Sequence, residues 1–247
     1  MAFAKAALLI HRARDAKDWA DSAARHLSDR ATDAIDQRGA FHLVMAGGST
    51  PRRALSRWVE LETPTSPLWA QVHVYFSDER GVPADDPQSN YGMVREVLLD
   101  QVPIQSAHVH RIHGEMELEQ AATEYNRTLQ DQLDGQPFDL VVLGLGPDGH
   151  TASLIPGVPL EFVSEPWVGV GPAPMSPAQV RRITLTPAAL RNTRETVFWA
   201  TGAAKAEVVR SALRGGDLIT IVPEVLSPES SVTWLLDEES AAELGSV

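Results

Sequence analysis

Three short segments of this chain carry side chains able to do chemistry, and each stands directly after an apolar run. The first, Ala46-Gly-Gly-Ser-Thr-Pro-Arg-Arg53, has two glycines that allow a tight turn and close backbone approach. Ser49 or Thr50 can cap a following helix, and Pro51 suits its first position. Open N–H groups at such a helix start, with hydroxyls beside them, cradle an anion. A plain capped strand-to-helix turn has the same composition, and the loop alone leaves both readings open. Without the Gly-Lys-Ser/Thr ending of an ATPase loop, a small phosphate is indicated rather than a nucleoside triphosphate. The second segment, Phe76-Ser-Asp-Glu-Arg-Gly-Val-Pro83, puts Asp78, Glu79 and Arg80 at a strand end as either a solvated turn or a catalytic rim. Ser89-Asn90 then reads as the cap of the next helix. The third, Gly144-Leu-Gly-Pro-Asp-Gly-His-Thr-Ala-Ser153, opens like a dinucleotide loop, but Pro147 and Asp148 break that fingerprint. What remains is His150 in a glycine-rich polar setting, two residues after Asp148, where an imidazole can transfer protons near neutral pH.

Two further cations belong with these loops. Arg182 opens an apolar stretch, and Lys205 starts a helix in Thr201-Gly-Ala-Ala-Lys-Ala206. A lysine at a helix start is disfavoured by the dipole, which suggests a bound anion, although a solvated surface lysine fits too. Only Lys5, Lys17 and Lys205 are lysines among the 21 basic residues. The cluster His108-Val-His110-x-x-His113 would set His108 and His110 on one strand face, but no carboxylate joins them at a ligand spacing before Glu115, so a metal is not expected. No Gly-x-Ser-x-Gly elbow is present for a serine nucleophile.

The elements that must position these loops follow from periodicity. Residues 15–36 have apolar positions at helical spacing, and further helices are expected near 52–61, 91–100, 115–134 and 203–214. Buried strands are expected at 41–46, 72–76 and 138–144, with more at 182–186, 196–200 and 231–236. The Pro-rich stretch 156–177 reads as a long loop or crossover. Strands alternating with helices imply an α/β fold, Rossmann-like, with a mostly parallel sheet and helices on both faces. One domain over residues 1–247 is the simplest account, with room for a smaller C-terminal lobe. In such sheets ligands sit outside the carboxyl ends of the strands, so the three segments are expected to converge on one site.

Composition narrows the class. With 33 acidic against 21 basic residues the net charge is −12, which disfavours nucleic acid as a partner. The absence of cysteine excludes disulfides, thiolate nucleophiles and cysteine-held metal centres. No apolar run approaches the length of a membrane span, and Met1–Ile10 lacks the pattern of a secretory signal. The expectation is a cytoplasmic protein, a monomer or small homo-oligomer, with neither membrane nor nucleic-acid partner.

Together these segments resemble the 6-phosphogluconolactonase family. The carrying residues are Gly47-Gly-Ser-Thr-Pro51, Ser77-Asp-Glu-Arg80 with Ser89-Asn90, Gly144 to Ser153, Arg182-Ile-Thr-Leu-Thr186 and Gly202-Ala-Ala-Lys205. They run in family order from about residue 41 to 214, most of the chain. The resemblance implies hydrolysis of 6-phospho-D-glucono-1,5-lactone in the oxidative pentose phosphate pathway. It assigns Gly48, Ser49, Thr50, Arg182 and Lys205 to a phosphate clamp, with Asn90 and Asp148 as further substrate contacts. His150 is then the general base and Arg80 or nearby backbone N–H groups the oxyanion partner, while Asp78 serves the histidine, Arg80 or the sugar hydroxyls. A δ-lactone already hydrolyses spontaneously, so the chemistry requires no cofactor, metal or covalent nucleophile.

The resemblance implies a fold shared with glucosamine-6-phosphate deaminase, which is the main competitor. That enzyme carries Ile-Ala-Phe-Asn-Glu-Pro after its histidine, and Ile155 stands here where its glutamate would be. It also shows Asp-Glu-Tyr in place of Asp78-Glu79-Arg80, so both departures favour the lactonase. A non-catalytic sugar-phosphate sensor is a third reading, against which His150 and Asp78 stand intact.

Overall fold

The computed structural model describes residues 8–172 and 180–245. Most of Met1–Ile10, and residues 173–177 of the Pro-rich stretch, lie outside the described residues. The chain opens with β1 (Leu8–Ala13), which the sequence reading did not anticipate, and α1 (Ala16–Arg38), capped by the Asp15 carboxylate. β2 (Phe41–Met45) leads to α2 (Ser49–Glu62), and β3 (Val72–Phe76) leads within one residue to β4 (Asp78–Arg80). α3 (Asn90–Val94) widens into a π turn over Arg95–Leu99, so the helix expected at 91–100 is not uniformly α-helical. There follow β5 (Val109–His110), α4 (Leu118–Leu133), β6 (Phe138–Gly144), β7 (Phe162–Ser164), β8 (Val168–Val170) and β9 (Arg182–Leu185). The remainder is α5 (Pro187–Arg191), β10 (Thr193–Ala200), α6 (Ala206–Arg214), α7 (Val222–Val225) and β11 (Ser231–Asp237).

Seven strands form one sheet in the order β1-β11-β10-β6-β2-β3-β5, with every pair parallel. Parallel sheets are covered on both faces and their strands read as continuous apolar runs. β6 fits that pattern, buried along all but its last residue. Trp19, Trp58, Trp69, Trp199 and Trp234 are all fully buried, and such rings supply a large share of core area. A second, antiparallel sheet has the order β4-β9-β8-β7. The smaller layer is therefore built from residues 78–80, 162–170 and 182–185, in mid-chain, whereas the C-terminal strands β10 and β11 join the main sheet.

Ser77 is the junction between the sheets. Its N–H donates to the Met45 carbonyl on β2 (2.9 Å), and its carbonyl accepts from Leu185 N–H on β9 (2.8 Å). One residue upstream, the Tyr125 hydroxyl of α4 accepts from Phe76 N–H (2.9 Å) and donates to its carbonyl (3.0 Å). Both backbone groups at the end of β3 are thus satisfied, and the following carboxylates leave a rigid anchor.

Candidate active site

The strands β10, β6, β2 and β3 are consecutive neighbours, so the loops at their carboxyl ends meet over one edge of the sheet. They enclose a cavity of about 330 Å³. Gly48, Ser49, Thr50, Asp78, Arg80, Asn90, His150, Arg182 and Lys205 all line it. Of the catalytic and substrate-binding candidates, Asp148 alone is outside the lining, paired with His150.

At the first loop, neither Ser49 nor Thr50 is the cap. Gly48 holds that place at φ 107°, where a side chain would be strained, and no side chain caps α2. The Ser49 and Thr50 N–H groups at the start of the helix therefore have no intrahelical partners and open at the cavity. The first turn contains no acidic residue to compete for them. Thr50 Oγ1 also meets Thr201 Oγ1 at 3.0 Å, tying this loop to the one after β10.

The second loop is a hydrogen-bond network built on two buried carboxylates. Glu79 accepts from the backbone N–H groups of Arg80 (2.8 Å), Asn90 (2.7 Å) and Tyr91 (2.8 Å) and from Ser89 Oγ (3.0 Å). Burial raises its carboxyl above the ordinary value, against the pull of those donors. It fastens the start of α3 to β4 and so delivers Asn90 into the site. The Asn90 amide donates to the Asp78 carbonyl (2.8 Å) and carboxylate (3.0 Å), and its oxygen accepts from Arg80. Gly47 makes room for this: a Cβ there would lie 1.6 Å from Asn90 Oδ1. Asp78 also accepts from Ser153 Oγ (2.7 Å) and pairs with Arg182 (3.5 Å). Its bonds thus go to Ser77, Asn90, Ser153 and Arg182, while the carboxylate that meets the histidine is Asp148.

Arg80 and Arg182 are register partners across β4 and β9. Like charges directly opposite one another destabilise an antiparallel pair, and an anion between them reverses the sign. Burial lowers the Arg80 guanidinium, the Asp78 carboxylate raises it and Arg182 lowers it. It remains a cation, as arginine does throughout the working range.

In the third loop, His150 Nδ1 lies 2.5 Å from Asp148 Oδ1. A carboxylate only accepts, so Nδ1 carries the proton and Nε2 is left as the basic nitrogen. Burial raises the Asp148 carboxyl, but the hydrogen bond and charge of His150 outweigh it and the net shift is downward. Two glycines permit the pairing. Gly149 turns at φ 86°, and a Cβ on Gly146 would fall 2.2 Å from His150 Nδ1. Thr151 Oγ1 donates to the Gly144 carbonyl (2.6 Å), closing the loop onto β6.

Lys205 enters from the turn Ala203–Lys205 after β10. Burial lowers its ammonium and the charge of Asp148 partly restores it. The cavity therefore presents three cations in a chain whose net charge is −12. Thr201, Trp199 and Ser153 were not singled out as site residues from sequence. Thr201 and Trp199 line the cavity, and Ser153 braces Asp78. No spacing signal marks Thr201 or Trp199, whereas Ser153 stood within the family-like stretch.

The histidines of the 108–113 cluster lie elsewhere. His42, His73, His108 and His110 stack at the opposite edge of the sheet, with His73–His108 centroids 3.9 Å apart. His113 faces Glu115 and Glu124 instead. Among the described residues no group of three or more such side chains could hold a metal.

Comparison with known proteins yields a family model, described as glucosamine-6-phosphate isomerases/6-phosphogluconolactonase, that matches residues 14–234. The 6-phosphogluconolactonase of Rattus norvegicus is 35% identical over 89% of this chain and 87% of its own. That of Mycobacterium leprae is 34% identical over 93% of this chain and 96% of its own. The crystal structure of 6-phosphogluconolactonase from Thermotoga maritima superposes with a TM-score of 0.79 at 28% identity, covering 93% of this chain and 99% of that one. A monomeric glucosamine-6-phosphate deaminase, at 21% identity and TM-score 0.77 over 95% of this chain and 99% of its own, shares the fold.

Proposed function

The chain belongs to the glucosamine-6-phosphate isomerase/6-phosphogluconolactonase family, and we infer from that membership that it hydrolyses 6-phospho-D-glucono-1,5-lactone to 6-phospho-D-gluconate in the oxidative pentose phosphate pathway. The observation that carries the chemistry is the Asp148–His150 pair, with His150 lining a cavity that also presents three cations, the start of α2 and the Asp78–Asn90 network. The substrate is a phosphate dianion at one end and an ester carbonyl at the other, which is what such a cavity fits.

In the mechanism we propose, the phosphate sits against the Ser49 and Thr50 N–H groups and hydroxyls at the Gly48 turn, with Arg182 and Lys205 neutralising its charge. Clamping it places C1 beside His150 and converts the attack of water into a positioned event. His150 Nε2 takes a proton as the water oxygen bonds to C1. The carbonyl becomes an oxyanion that Arg80 stabilises. When the C1–O5 bond breaks, His150 returns the proton to O5, giving a hydroxyl at C5 and a carboxylic acid at C1 that ionises. Asp148 keeps Nδ1 protonated and holds the ring as its charge rises. Asp78 acts by fixing Arg182, Asn90 and Ser153 rather than by touching the imidazole. A general base of this kind is worth about 10²–10⁴-fold. We place the reaction in the cytoplasm, on the ground that a labile, charged lactone is consumed in the compartment that makes it.

The deaminase reading lacks its carboxylate, since position 155 is an isoleucine, 39% exposed. The test is hydrolysis of freshly generated phospholactone, coupled to NADP-dependent 6-phosphogluconate dehydrogenase, with the spontaneous rate subtracted. Rapid turnover that EDTA leaves unchanged, with no ammonia from glucosamine 6-phosphate, is the expected result. Ammonia release without lactone acceleration would replace this reading by the deaminase, and silence in both arms by the sensor.

A further inference from the structure

Lys205 reaches the cavity from a short turn, and among the described residues it makes no ion pair that could aim it. Its place is therefore set by its backbone, and that backbone is fastened by side chains from the C-terminal turn. Asp237, the last residue of β11, accepts the Gly202 N–H with both carboxylate oxygens, at 3.1 and 2.9 Å. Glu239 accepts the Ala203 N–H at 3.2 Å, and Ser240 Oγ donates to the Ala200 carbonyl at 2.9 Å. Asp237 also accepts the Ser240 N–H at 2.8 Å, so one carboxylate closes its own turn and holds the lysine turn against it. Its charge at the start of a helical turn is also placed favourably for the dipole.

We infer that Asp237 is a positioning residue for Lys205, making the C-terminal turn part of the phosphate clamp although none of residues 237–240 lines the cavity. This rests on the reading of Lys205 as a phosphate ligand. Both Asp237 oxygens are needed as acceptors. An asparagine offers one oxygen, and its NH₂ would confront an N–H of Gly202 or Ser240, donor against donor. The turn would then be loosened, and the lysine would have to be ordered at the moment of binding.

The experiment is a double-mutant cycle on phospholactone hydrolysis, with inorganic phosphate as a competitive probe. Asp237→Asn is expected to raise both KM and the phosphate inhibition constant about tenfold, within the range for coupled neighbours, while kcat stays within about twofold of wild type. In a Lys205→Ala background the same change is expected to do nothing further. An equal rise in both backgrounds, or a loss of kcat at unchanged KM, would overturn the inference. If Asp237→Asn fails to fold by circular dichroism, Ser240→Ala, which frees the Ala200 carbonyl, takes its place in the cycle with the same two outcomes. A wild type without lactonase activity would instead refute the functional reading, and the inference with it.

Discussion

Gly47→Ala puts a methyl group in place of a hydrogen in a site with no room for it. The new Cβ would lie 1.6 Å from Asn90 Oδ1, 2.2 Å from its Cγ and 3.0 Å from its Nδ2. Asn90 is 1% exposed, so its amide must leave the network rather than shift within it. Three hydrogen bonds go with it: one to the Asp78 carbonyl, one to the Asp78 carboxylate and one from Arg80. At about 1 kcal/mol for the neutral bond and about 1.5–3 for each charged one, the loss is roughly 4–7 kcal/mol. Water at the cavity rim recovers part of it, so about 4 kcal/mol is the working figure, or roughly 8–16 °C in Tm for a domain of this size. Arg80 keeps its bond to the Gln88 carbonyl but loses the one to Asn90, and kcat is expected to fall about 10²-fold, as when an oxyanion donor is removed. Thermal melting and the coupled lactone assay read both effects. The decisive arm is the Asn90→Ala background, where the colliding atoms are gone and adding Gly47→Ala should change Tm by less than about 2 °C. A Gly47→Ala protein with wild-type Tm and kcat, or one equally damaged in both backgrounds, would refute the reasoning.

Three more outcomes are expected. Asp148→Asn should lower kcat about 10²-fold or more with KM little changed, because an amide can present its NH₂ to Nδ1 and stabilise the wrong tautomer; steady-state kinetics would expose an error as an unchanged kcat. Lys205→Ala should raise KM far more than it lowers kcat, and unchanged KM would remove Lys205 from the clamp. The histidine stack should make the fold acid-sensitive. Burial and then the neighbouring imidazoles hold His73 down at about 3 and His110 at about 4, and burial lowers His42 despite Asp139. Unfolded histidines titrate near 6.5, so between those values the unfolded chain binds more protons. Stability is then complete above about pH 6.5 and falls as pH drops toward 4. Tm measured from pH 7 to 5 should decline, and less steeply in His73→Phe, whose neutral ring still stacks; equal slopes would contradict this.

How much of this was legible in the sequence depends on how local the cause was. β3 and β6 occupy the spans their apolar runs mark, and α1 covers 16–38 where periodicity indicated 15–36. These are elements whose own side chains decide their state. Convergence of the three loops was legible too, because a parallel sheet puts its ligand edge at the strand ends. β4, β7 and β8 were not, since each is three residues long and β4 pairs with β9 about a hundred residues away in sequence. β1 escaped because only its last residue is buried, so it carries no core pattern. In the site, Asn90 reads as a cap beside Ser89. Ser89 does accept from Gly92 N–H (2.9 Å), but Asn90 turns under Gly47 into the cavity. The split of roles between Asp78 and Asp148 depends on the Gly149 turn, which composition marks but does not direct.

The most direct test of the account compares wild type with His150→Ala on the phosphorylated lactone, under saturating substrate and with the spontaneous rate subtracted. If Nε2 of His150 is the base, kcat falls by about 10²–10⁴-fold while KM stays within a few-fold. A His150→Ala enzyme that turns over at the wild-type rate would contradict it.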